Sequence, residues 1–430
     1  MFHLKLLFLC RVTASPAANS SGSPILPADD PFYTPPPGFQ NEHPGTILRN
    51  RSVPYPLAAF GAVPVNVSAA YQILYRSTDT FGNAIAIVST ILVPYNASNT
   101  KLLSYQVAED AANPSCCPSY VFQQGSQTGG VFGTIVTELE LTLIQSALNY
   151  GWYVTVPDFL GPKSAFLANI LAGYAVLDGI RATLASSDFT QLAADPTITM
   201  WGYSGGSMST EFAAELQLTY APELKIAGAA LGGTIPNILT VLYTINKGAF
   251  AGLIATGVVG LGNEYPDIAS LIASEILPNK TGVIQQIGTW CLGAVVVDFA
   301  FQDIFSFVKD PNIFNSTTVT KILDANNPGH HTPQIPLMVY KSATDEISPV
   351  ADTDKLIQSY CNDGASVDYR REGLDHLSLM FTGASDALNW LKDRLNGVPA
   401  QQGCTNTTRF SSPTQPLGYE VFVLVGTMTL

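Results

Sequence analysis

The segment Thr197–Tyr220, TITMWGYSGGSMSTEFAAELQLTY, decides how this chain is organised. Its first part, Ile198–Tyr203, is an apolar run that predicts a buried strand, and the spacing of apolar residues over Met208–Tyr220 predicts a helix. The glycine-rich corner Gly202–Gly206 lies between them, so the chain must turn from strand to helix within a few residues. A strand followed directly by a helix is the repeating unit of parallel sheets in α/β proteins.

The same alternation of strands and helices continues on both sides of this segment. Strands are predicted at Tyr71–Tyr75, Ile85–Val93, Leu102–Val107, Trp152–Val156, Ile226–Gly232, Ile335–Tyr340 and Ser366–Arg370, and helices at Glu138–Tyr150, Ala172–Ala185 and Asp386–Leu395. Because several of these strands are almost continuously apolar, they predict a sheet that is covered on both faces. The predicted fold class is therefore α/β, with a mostly parallel, doubly wound sheet.

Residues 235–328 interrupt this alternation. They are apolar and helix-like, with no clear strand among them, and they predict a helical cap or lid inserted into the main domain. We call this segment the helical insertion. The resulting division of the chain is a signal peptide over residues 1–18, a first core part over 19–234 with a lead lacking regular structure at 20–50, the helical insertion over 235–328, and a second core part with a C-terminal segment over 329–430.

The composition of the chain excludes several classes of function. With 430 residues, 47% of them hydrophobic and only 12% charged, the chain can bury a large core and is not disordered. The net charge of −13 and the lack of any Lys/Arg run exclude a nucleic-acid partner. No apolar stretch reaches the length of a membrane span, so no transmembrane segment is expected. Nothing in the sequence indicates an obligate protein partner.

The first residues and the glycosylation sequons predict an extracellular protein. Met1–Gly22 resembles a secretory signal with a short apolar run that Arg11 interrupts, so the cleavage site is not fixed. Asn-x-Ser/Thr sequons occur at Asn19, Asn50, Asn66, Asn96, Asn279, Asn315 and Asn406. Such tripeptides mark acceptor sites for glycans on secreted proteins. The chain is therefore expected to be a secreted glycoprotein.

The cysteines predict two disulfide bonds and one free thiol. Cys10 would be removed with the signal peptide, and the spacing of the other five argues against a zinc site. In an oxidising compartment we expect cysteines to pair. The expected pairs are Cys361 with Cys404, and Cys291 with either Cys116 or Cys117.

The glycine-rich corner carries the strongest chemical signal. Gly202-Tyr203-Ser204-Gly205-Gly206 matches the G-x-S-x-G pattern in its required strand-to-helix context. Such a turn forces the serine into a strained backbone conformation and exposes its Oγ, while the two outer glycines avoid collisions. Ser204 is therefore the predicted nucleophile, and Gly202, Tyr203 and Gly206 complete the elbow around it.

A serine nucleophile needs a base, which is normally a histidine. The other histidines lie in the signal peptide, in the N-terminal lead or in a Gly/Pro loop before a predicted strand: His3, His43, His330 and His331. His376 follows the strand Ser366–Arg370 and precedes the last predicted helix. His376 is the predicted base by elimination.

The third catalytic group is a carboxylate that orients the histidine. Asp345 lies in the turn after the predicted strand Ile335–Tyr340, between the nucleophile and the base in the chain. Its neighbour Glu346 remains a competitor for the same role.

An oxyanion hole requires two backbone N–H donors. Gly205, the residue after the nucleophile, supplies one. Asp110, on the loop after the strand Leu102–Val107, is the candidate for the other. The sequence also permits this loop to be an ordinary polar loop, because the HGGG form of the motif is absent.

Taken together, these residues resemble the fungal secretory lipase family of the α/β-hydrolase superfamily. The matching elements, spread over residues 30–425, are Ser104-Tyr105-Gln106, Glu109-Asp110, Cys116, Pro118-Ser119-Tyr120, the corner at 202–206, Thr344-Asp345-Glu346 and Asp375-His376-Leu377. The resemblance implies an α/β-hydrolase fold with a cap between nucleophile and acid. It also implies a Ser204–Asp345–His376 triad and an oxyanion hole formed by the amides of Asp110 and Gly205. Cys117 departs from the family pattern, which leaves the pairing of its neighbour Cys116 open.

The predicted function is that of a secreted serine carboxylester hydrolase, a triacylglycerol lipase that forms an acyl-enzyme. Its expected partners are lipid esters at an oil–water interface, and no metal or organic cofactor is expected. The apolar helical insertion is expected to hold the acyl chain. One alternative is an esterase or peptidase that acts on small soluble substrates with the same triad. A second is a catalytically silent binding protein on a hydrolase scaffold.

Overall fold

The computed structural model describes residues 22–126 and 132–409. The predicted signal peptide, the sequon at Asn19 and the C-terminal segment beyond Arg409 lie outside the described residues. None of the described helices is both long and apolar enough to cross a membrane.

Most strands of the described residues belong to one ten-stranded sheet. The strands are β1 (Ile47–Ser52), β2 (Ala58–Ala59), β3 (Val63–Pro64), β4 (Ala69–Thr78), β5 (Ala84–Val93), β6 (Ser98–Gln106), β7 (Trp152–Pro157), β8 (Thr197–Tyr203), β9 (Ile226–Gly232), β10 (Leu337–Ser342), β11 (Val367–Glu372) and β12 (Cys404–Arg409). The order in the large sheet is β1-β4-β5-β7-β6-β8-β9-β10-β11-β12, and β2 pairs with β3 separately. The strands from β7 to β12 in this order run parallel, whereas β1, β4 and β5 are joined by antiparallel pairs. The predicted mostly parallel α/β sheet is confirmed.

Helices connect the parallel strands and cover both faces of the sheet. They are α1 (Pro118–Val121), α2 (Ile135–Asn149), α3 (Asn169–Leu184), α4 (Ser187–Thr190), α5 (Gly205–Tyr220), α6 (Ile238–Ile245), α7 (Gly252–Glu264), α8 (Pro266–Glu275), α9 (Thr281–Ile287), α10 (Leu292–Phe299), α11 (Thr317–Ala325), α12 (Val350–Asn362), α13 (His376–Thr382) and α14 (Ala384–Leu395). Short 3-10 helices lie at Pro31–Tyr33, Phe39–Asn41, Pro114–Cys116, Pro278–Lys280, Ile304–Phe307 and Pro311–Asn315.

The central strand β8 illustrates why this sheet needs cover on both faces. Alternate side chains of a strand point to opposite faces. Ile198 and Met200 belong to one core cluster, which includes residues of α3 and α5. Trp201 and Tyr203 belong to a second cluster, which includes residues of α2 and α14. All four side chains are buried, so β8 is stabilised from both sides and gives a rigid support to the residue that follows it.

Four strands bring the candidate residues to one edge of the sheet. The chain leaves β6 toward Asp110, β8 toward Ser204, β10 toward Asp345 and β11 toward His376. Because these strands are parallel, their C-terminal ends lie at the same edge, where α/β proteins bind their ligands.

Between β9 and β10 the chain contains helices α6 to α11 and no strand. Their apolar side chains pack together and join the core cluster on the α3 and α5 face of the sheet. The disulfide between Cys116 and Cys291 links this segment covalently to the loop after β6.

The N-terminal lead has more structure than the sequence predicts. The prediction that residues 20–50 lack regular structure is wrong, because two 3-10 helices occur there and β1 begins at Ile47. Asp30 explains part of the order, since its carboxylate accepts a hydrogen bond from the N–H of Phe32 and forms an ion pair with Arg51 at 2.7 Å. Side-chain capping of this kind is available to any turn that starts with Asp before Pro.

Candidate active site

Ser204 occupies the sharp turn between β8 and α5. Its backbone has φ 52° and ψ −121°, a conformation that residues other than glycine rarely adopt. The N–H of Ser204 donates to the carbonyl oxygen of Gly232 at 2.9 Å, which ties the turn to the neighbouring strand β9. The sheet therefore maintains the strained conformation, and Ser204 keeps 9% of its surface exposed.

Two glycines of the corner are required by close backbone contacts. A Cβ on Gly202 would lie 2.2 Å from the carbonyl oxygen of Gly206. A Cβ on Gly206 would lie 2.0 Å from the carbonyl oxygen of Gln106 in β6. Neither contact can be relieved by a side-chain rotation, because the atoms that are approached belong to the backbone. The G-x-S-x-G pattern thus reflects the packing of α5 against β6 and β8.

His376 lies between Ser204 and Asp345. Its Nε2 is 2.9 Å from the Oγ of Ser204, and its Nδ1 is 2.7 Å from the Oδ2 of Asp345. The imidazole is buried, with 1% of the residue exposed. The structure thus brings the three predicted triad residues into one hydrogen-bonded chain, although they are separated by up to 172 residues in the sequence.

Asp345 rather than Glu346 contacts the imidazole. Its Oδ1 accepts hydrogen bonds from the N–H groups of Ile347 and Ser348, which fix the carboxylate in the turn after β10. Burial raises the pKa of Asp345, but the hydrogen bond and charge of His376, the Lys341 ammonium and the Ser348 N–H together hold this pKa well below its ordinary value. The carboxylate is therefore ionised throughout the physiological pH range.

Two further residues hold the backbone of His376, a role that the sequence did not predict for either of them. Glu346 accepts the N–H of His376 at 2.9 Å through its Oε2, while its own side chain remains exposed. Tyr203 donates its hydroxyl to the carbonyl oxygen of His376 at 2.6 Å. Burial raises the pKa of Tyr203 well above its ordinary value, so the hydroxyl stays protonated and remains a donor. The position of Tyr203 inside the G-x-S-x-G pattern could have pointed to this contact.

Asp110 and Gly205 lie side by side next to Ser204. Asp110 has φ 41°, so it is a second residue of the site in a sparsely populated conformation. A Cβ on Gly205 would lie 1.8 Å from the Oδ1 of Asp110, which shows how closely the loop approaches the start of α5. Gly205 is the first residue of α5, where backbone N–H groups have no acceptor within the helix. Burial raises the pKa of the Asp110 carboxyl to about 7, although its own backbone N–H acts in the opposite direction.

Glu140 of α2 supports the loop that carries Asp110. Its two carboxyl oxygens accept the N–H of Ala108 and the hydroxyl of Tyr105, both at 2.8 Å. Burial raises the pKa of Glu140 to about 8, against the opposing effect of these two hydrogen bonds. The sequence offered no signal for this contact, because Glu140 lies in a helix that reads as ordinary amphipathic surface.

A mainly apolar cavity of about 260 Å³ opens beside Ser204. Its polar members are Asp110, Ser204 and His376. The apolar members come from the core and from the segment between β9 and β10: Ala108, Phe132, Ile135, Val136, Phe250, Leu253, Leu292, Gly293, Val296, Val297, Ile347, Leu377 and Met380. A cavity with this lining suits an apolar chain whose reactive polar group reaches the serine.

The cysteines and sequons are placed as follows. The predicted disulfide Cys361–Cys404 is confirmed, and Cys291 pairs with Cys116, which settles the alternative that the sequence left open. Cys117 is a buried free thiol. The predicted glycan acceptors within the described residues are all exposed: Asn50, Asn66, Asn96, Asn279, Asn315 and Asn406.

Comparisons with known proteins agree with one another. The sequence profile of a family described as "Secretory lipase" matches residues 126–403. Lipase A of Arthroderma benhamiae is 49% identical over 403 residues, which cover 93% of this chain and 86% of the relative. Lipase 4 of Candida albicans is 37% identical over 419 residues, covering 95% and 90% of the two chains. The X-ray structure of Candida antarctica lipase A in its closed state superposes with a TM-score of 0.82 at 31% identity, covering 93% of this chain and 95% of the other.

Proposed function

This chain belongs to the secretory lipase family, and we propose that it hydrolyses triacylglycerols through a triad of Ser204, His376 and Asp345. Its fold is the α/β-hydrolase fold, and its activity is that of a lipase. The proposal concerns two things: which residues carry out the reaction, and the steps by which it proceeds.

One observation carries the proposal. A continuous chain of hydrogen bonds runs from Ser204 through His376 to Asp345, with distances of 2.9 and 2.7 Å. Ser204, at the start of this chain, faces the apolar cavity. A hydroxyl, an imidazole and an ionised carboxylate in this order can activate the hydroxyl as a nucleophile. The apolar lining supports an ester of a long acid as the substrate.

The first half of the reaction forms an acyl-enzyme. The Oγ of Ser204 attacks the ester carbonyl carbon while the Nε2 of His376 accepts its proton. The carbonyl oxygen gains negative charge and accepts hydrogen bonds from the N–H groups of Asp110 and Gly205. One such donor contributes about 3 to 4 kcal/mol to the stability of the transition state. Asp345 stabilises the imidazolium that forms and holds the tautomer with the proton on Nδ1.

The second half releases the acid. The tetrahedral intermediate expels the alkoxide, which takes the proton from His376 and leaves as an alcohol. Water then attacks the acyl carbon with His376 again as the base, and the collapse of the second intermediate breaks the bond to Ser204. The fatty acid departs, and the Ser204 hydroxyl recovers its proton from the imidazolium.

We further propose that the helical insertion acts as a cap that binds the acyl chain. We retain the division into core at 19–234, cap at 235–328 and core at 329–430. Phe250, Leu253 and Val296 lie in the insertion and line the cavity beside Ser204, which supports this role.

The substrate reaches the site, in this proposal, from a lipid–water interface outside the cell. Three residues that line the cavity are also exposed, Phe132 by 61%, Val297 by 62% and Leu377 by 44%, and Phe301 nearby in the chain is exposed by 73%. Exposed apolar groups around an opening favour contact with a lipid surface. The exposed sequons support a glycosylated, extracellular protein, and residues 1–18 are proposed as its signal peptide.

The decisive experiment is the substitution Ser204→Ala. Loss of the nucleophile should lower hydrolysis of emulsified triolein and of soluble p-nitrophenyl butyrate by about 10⁵-fold or more. Wild-type protein should also be labelled at Ser204 by a fluorophosphonate, and the variant should not. Ser207→Ala is the matched control, because the Ser207 hydroxyl donates to the carbonyl oxygen of Ser204 and has no part in the proposed reaction.

Each alternative function gives its own result. Hydrolysis of the soluble ester without any hydrolysis of triolein would indicate an esterase of small substrates. Turnover of a dipeptide amide at a rate comparable to that of the ester would indicate a peptidase. Wild-type protein that is folded but not labelled by the fluorophosphonate would indicate a silent binding protein and would overturn the proposal.

A further inference from the structure

A buried lysine contacts the carboxylate of the triad. Lys341 lies in β10, four residues before Asp345, and neither side chain has any exposed surface. The Nζ of Lys341 is 2.9 Å from the Oδ2 of Asp345 and donates to the carbonyl oxygen of Thr234 at 2.8 Å. An ammonium group that is removed from water must be paired, or its burial is strongly unfavourable. The partner that compensates the charge of Lys341 is therefore the carboxylate that also serves His376.

The ammonium of Lys341 and the imidazole of His376 contact the same carboxylate oxygen of Asp345. Oδ2 of Asp345 faces both the Nζ of Lys341 and the Nδ1 of His376, and the other carboxylate oxygen already accepts two backbone N–H groups. The carboxylate thus has one orientation that satisfies all four donors. The charge of Lys341 also acts directly on His376, because the two cations would share one counter-ion if the imidazole were protonated.

We propose, on the basis of the function proposed above, that Lys341 is a positioning residue that fixes Asp345 and whose charge extends ester hydrolysis to more acidic pH. An isolated ionised carboxylate beside an imidazole favours protonation of the resting imidazole. A protonated imidazole cannot accept the proton of Ser204. The ammonium offsets much of the negative charge of Asp345, so the base stays available and ester hydrolysis extends to more acidic pH.

Other charged and titratable groups around this site do not replace Lys341. The acids that act on Lys341 are Asp345 and Glu346 after β10 and Glu211 on α5. Around His376, Tyr203 and Glu346 bind its backbone, Asp375 precedes it in the chain, and Asp110 lines the same cavity. The cation beside Lys341 in the sheet is Arg371, its register partner in β11, and the guanidinium of Arg371 pairs with Asp354 at 2.8 Å. Lys341 is the cation that pairs with Asp345. Burial raises the pKa of Glu211 to about 8, and that carboxyl is therefore neutral in acidic solution. Burial lowers the pKa of Lys341, and the Asp345 carboxylate offsets this only in part; in acidic solution the ammonium remains charged.

The test is the pH dependence of kcat/KM for p-nitrophenyl butyrate between pH 4 and 9. In Lys341→Met the acidic limb of the profile should move to higher pH by about one unit or more, because a unit charge within a few ångströms has an effect of this size. Activity well below the limb then falls by about tenfold more than activity on the plateau. Lys341→Arg keeps the charge and should keep the acidic limb of the wild type. Lys355→Met is the matched control, because Lys355 is exposed and pairs with Asp352 on the surface.

A purely structural role of Lys341 predicts a different outcome, namely a loss by the same factor at every pH. An unmoved acidic limb in folded Lys341→Met would therefore overturn the proposal. If this variant does not fold, Lys341→Gln carries the same prediction, since its amide can donate to the same two oxygens without a charge. Fluorophosphonate labelling of Ser204 separates the two levels of inference. A wild-type protein that is not labelled contradicts the proposed function, whereas a labelled Lys341 variant with the wild-type profile contradicts only the role of Lys341.

Discussion

The end of the sheet that carries the proposed site (Asp110, Ser204, Asp345 and His376), called the catalytic end below, and the helical insertion (residues 235–328) are stabilised in different ways. At the catalytic end, two residues have positive φ and the key side chains are held by short hydrogen bonds and an ion pair without contact to solvent. The insertion contributes apolar walls to the cavity, namely Phe250 before α7, Leu253 on α7, and Leu292, Val296 and Val297 on α10. Hydrogen bonds and an ion pair, which depend on direction, hold the catalytic end in place. Apolar burial and van der Waals contacts hold the cavity walls of the insertion.

This difference sets how each region should respond to change. A hydrogen-bonded reaction centre loses most of its rate when one atom is displaced by about 1 Å. A cavity that is lined by apolar side chains changes its volume gradually, and discrimination between chains that differ by one methylene is worth only about 1 to 3 kcal/mol. We therefore expect substitutions at the catalytic end to affect whether the reaction occurs, and substitutions in the insertion to affect which ester reacts.

Among the substitutions that compare the two regions, the largest effect is expected for Asp345→Asn at the catalytic end. The amide cannot hold the imidazole in the same tautomer or stabilise the imidazolium, so kcat should fall by about 10⁴-fold. Glu346→Gln should lower kcat by less than about tenfold, because the amide oxygen can still accept the N–H of His376. Both are measured with p-nitrophenyl butyrate on protein that unfolds cooperatively in urea. A larger loss in Glu346→Gln than in Asp345→Asn would reverse the assignment of the acid.

A pair of glycine substitutions compares the two regions directly. In Gly206→Ala the new Cβ meets the backbone oxygen of Gln106 at 2.0 Å, so the variant should lose about 3 kcal/mol or more of stability. The displaced loop should also lower kcat by about 100-fold. In Gly282→Ala, within α9 of the insertion, the Cβ meets nothing within 4 Å. Alanine should stabilise that helix by about 0.5 to 1 kcal/mol without a change in kcat.

Urea unfolding and kcat on the same preparations check this pair. Equal stability of Gly206→Ala and wild type would mean that α5 is not packed as tightly against β6 as described. Loss of activity in Gly282→Ala would mean that the insertion, like the catalytic end, depends on precise backbone placement.

How far the sequence alone reaches also differs between the two regions. Ser204 and His376 could be predicted because the nucleophile has a local pattern and the chain has few histidines. Lys341 could not, because the sequence places it in the turn after the predicted strand, whereas β10 continues to Ser342 and directs the lysine inward. The contact between Lys341 and Asp345 depends on the path of the turn between them, and a pattern of apolar and polar residues does not predict that path. The contact of Glu140 with the N–H of Ala108 could not be predicted either, because it depends on how α2 packs against the loop after β6.

For the insertion, the sequence predicted helices and a role in holding the acyl chain, but not which side chains line the cavity. Apolar residues at helical spacing indicate that a helix is buried, yet they do not indicate against which neighbour. The volume beside Ser204 depends on how α7 and α10 pack against the core, which is a property of the assembled helices. The strands of the core were predictable because burial on both faces leaves continuous apolar runs, while the polar strand β12 was missed because its side chains are mostly exposed.

A third expected effect concerns pH and stability, and it should arise from four buried carboxyls: Asp110 of the catalytic end, Asp158 directly after β7, Glu140 on α2 and Glu211 on α5. Burial raises the pKa of Asp110 and Asp158 to about 7, and that of Glu140 and Glu211 to about 8. In the unfolded chain such carboxyls release their protons near pH 4. The folded protein therefore binds more protons between pH 4 and 8, and its stability should fall as the pH rises through this window. Each group contributes up to about 1.4 kcal/mol per pH unit.

Thermal unfolding between pH 4.5 and 9 measures this dependence, and Glu140→Gln should make it less steep. The neutral amide can accept the N–H of Ala108 without binding or releasing a proton. Ser146→Ala on the same helix is the control, since it removes a buried hydroxyl and should shift the unfolding temperature equally at every pH. A Glu140→Gln profile parallel to that of the wild type would mean that Glu140 is ionised in the folded protein.

The smallest effect is expected in the insertion, where Val296→Trp should change substrate preference without stopping the reaction. Val296 lies on α10 and lines the cavity beside Ser204, so a larger side chain leaves less room for an acyl chain. The ratio of kcat/KM for p-nitrophenyl palmitate to that for p-nitrophenyl acetate should fall by about tenfold, while the value for acetate should stay within about twofold of the wild type. Val398→Trp, at an exposed valine outside the cavity lining, is the matched control and should leave the ratio unchanged. An equal loss of kcat/KM for both esters would show that a change on α10 also displaces the triad. This part of the insertion would then affect whether the reaction occurs, as the catalytic end does, and not only which ester reacts.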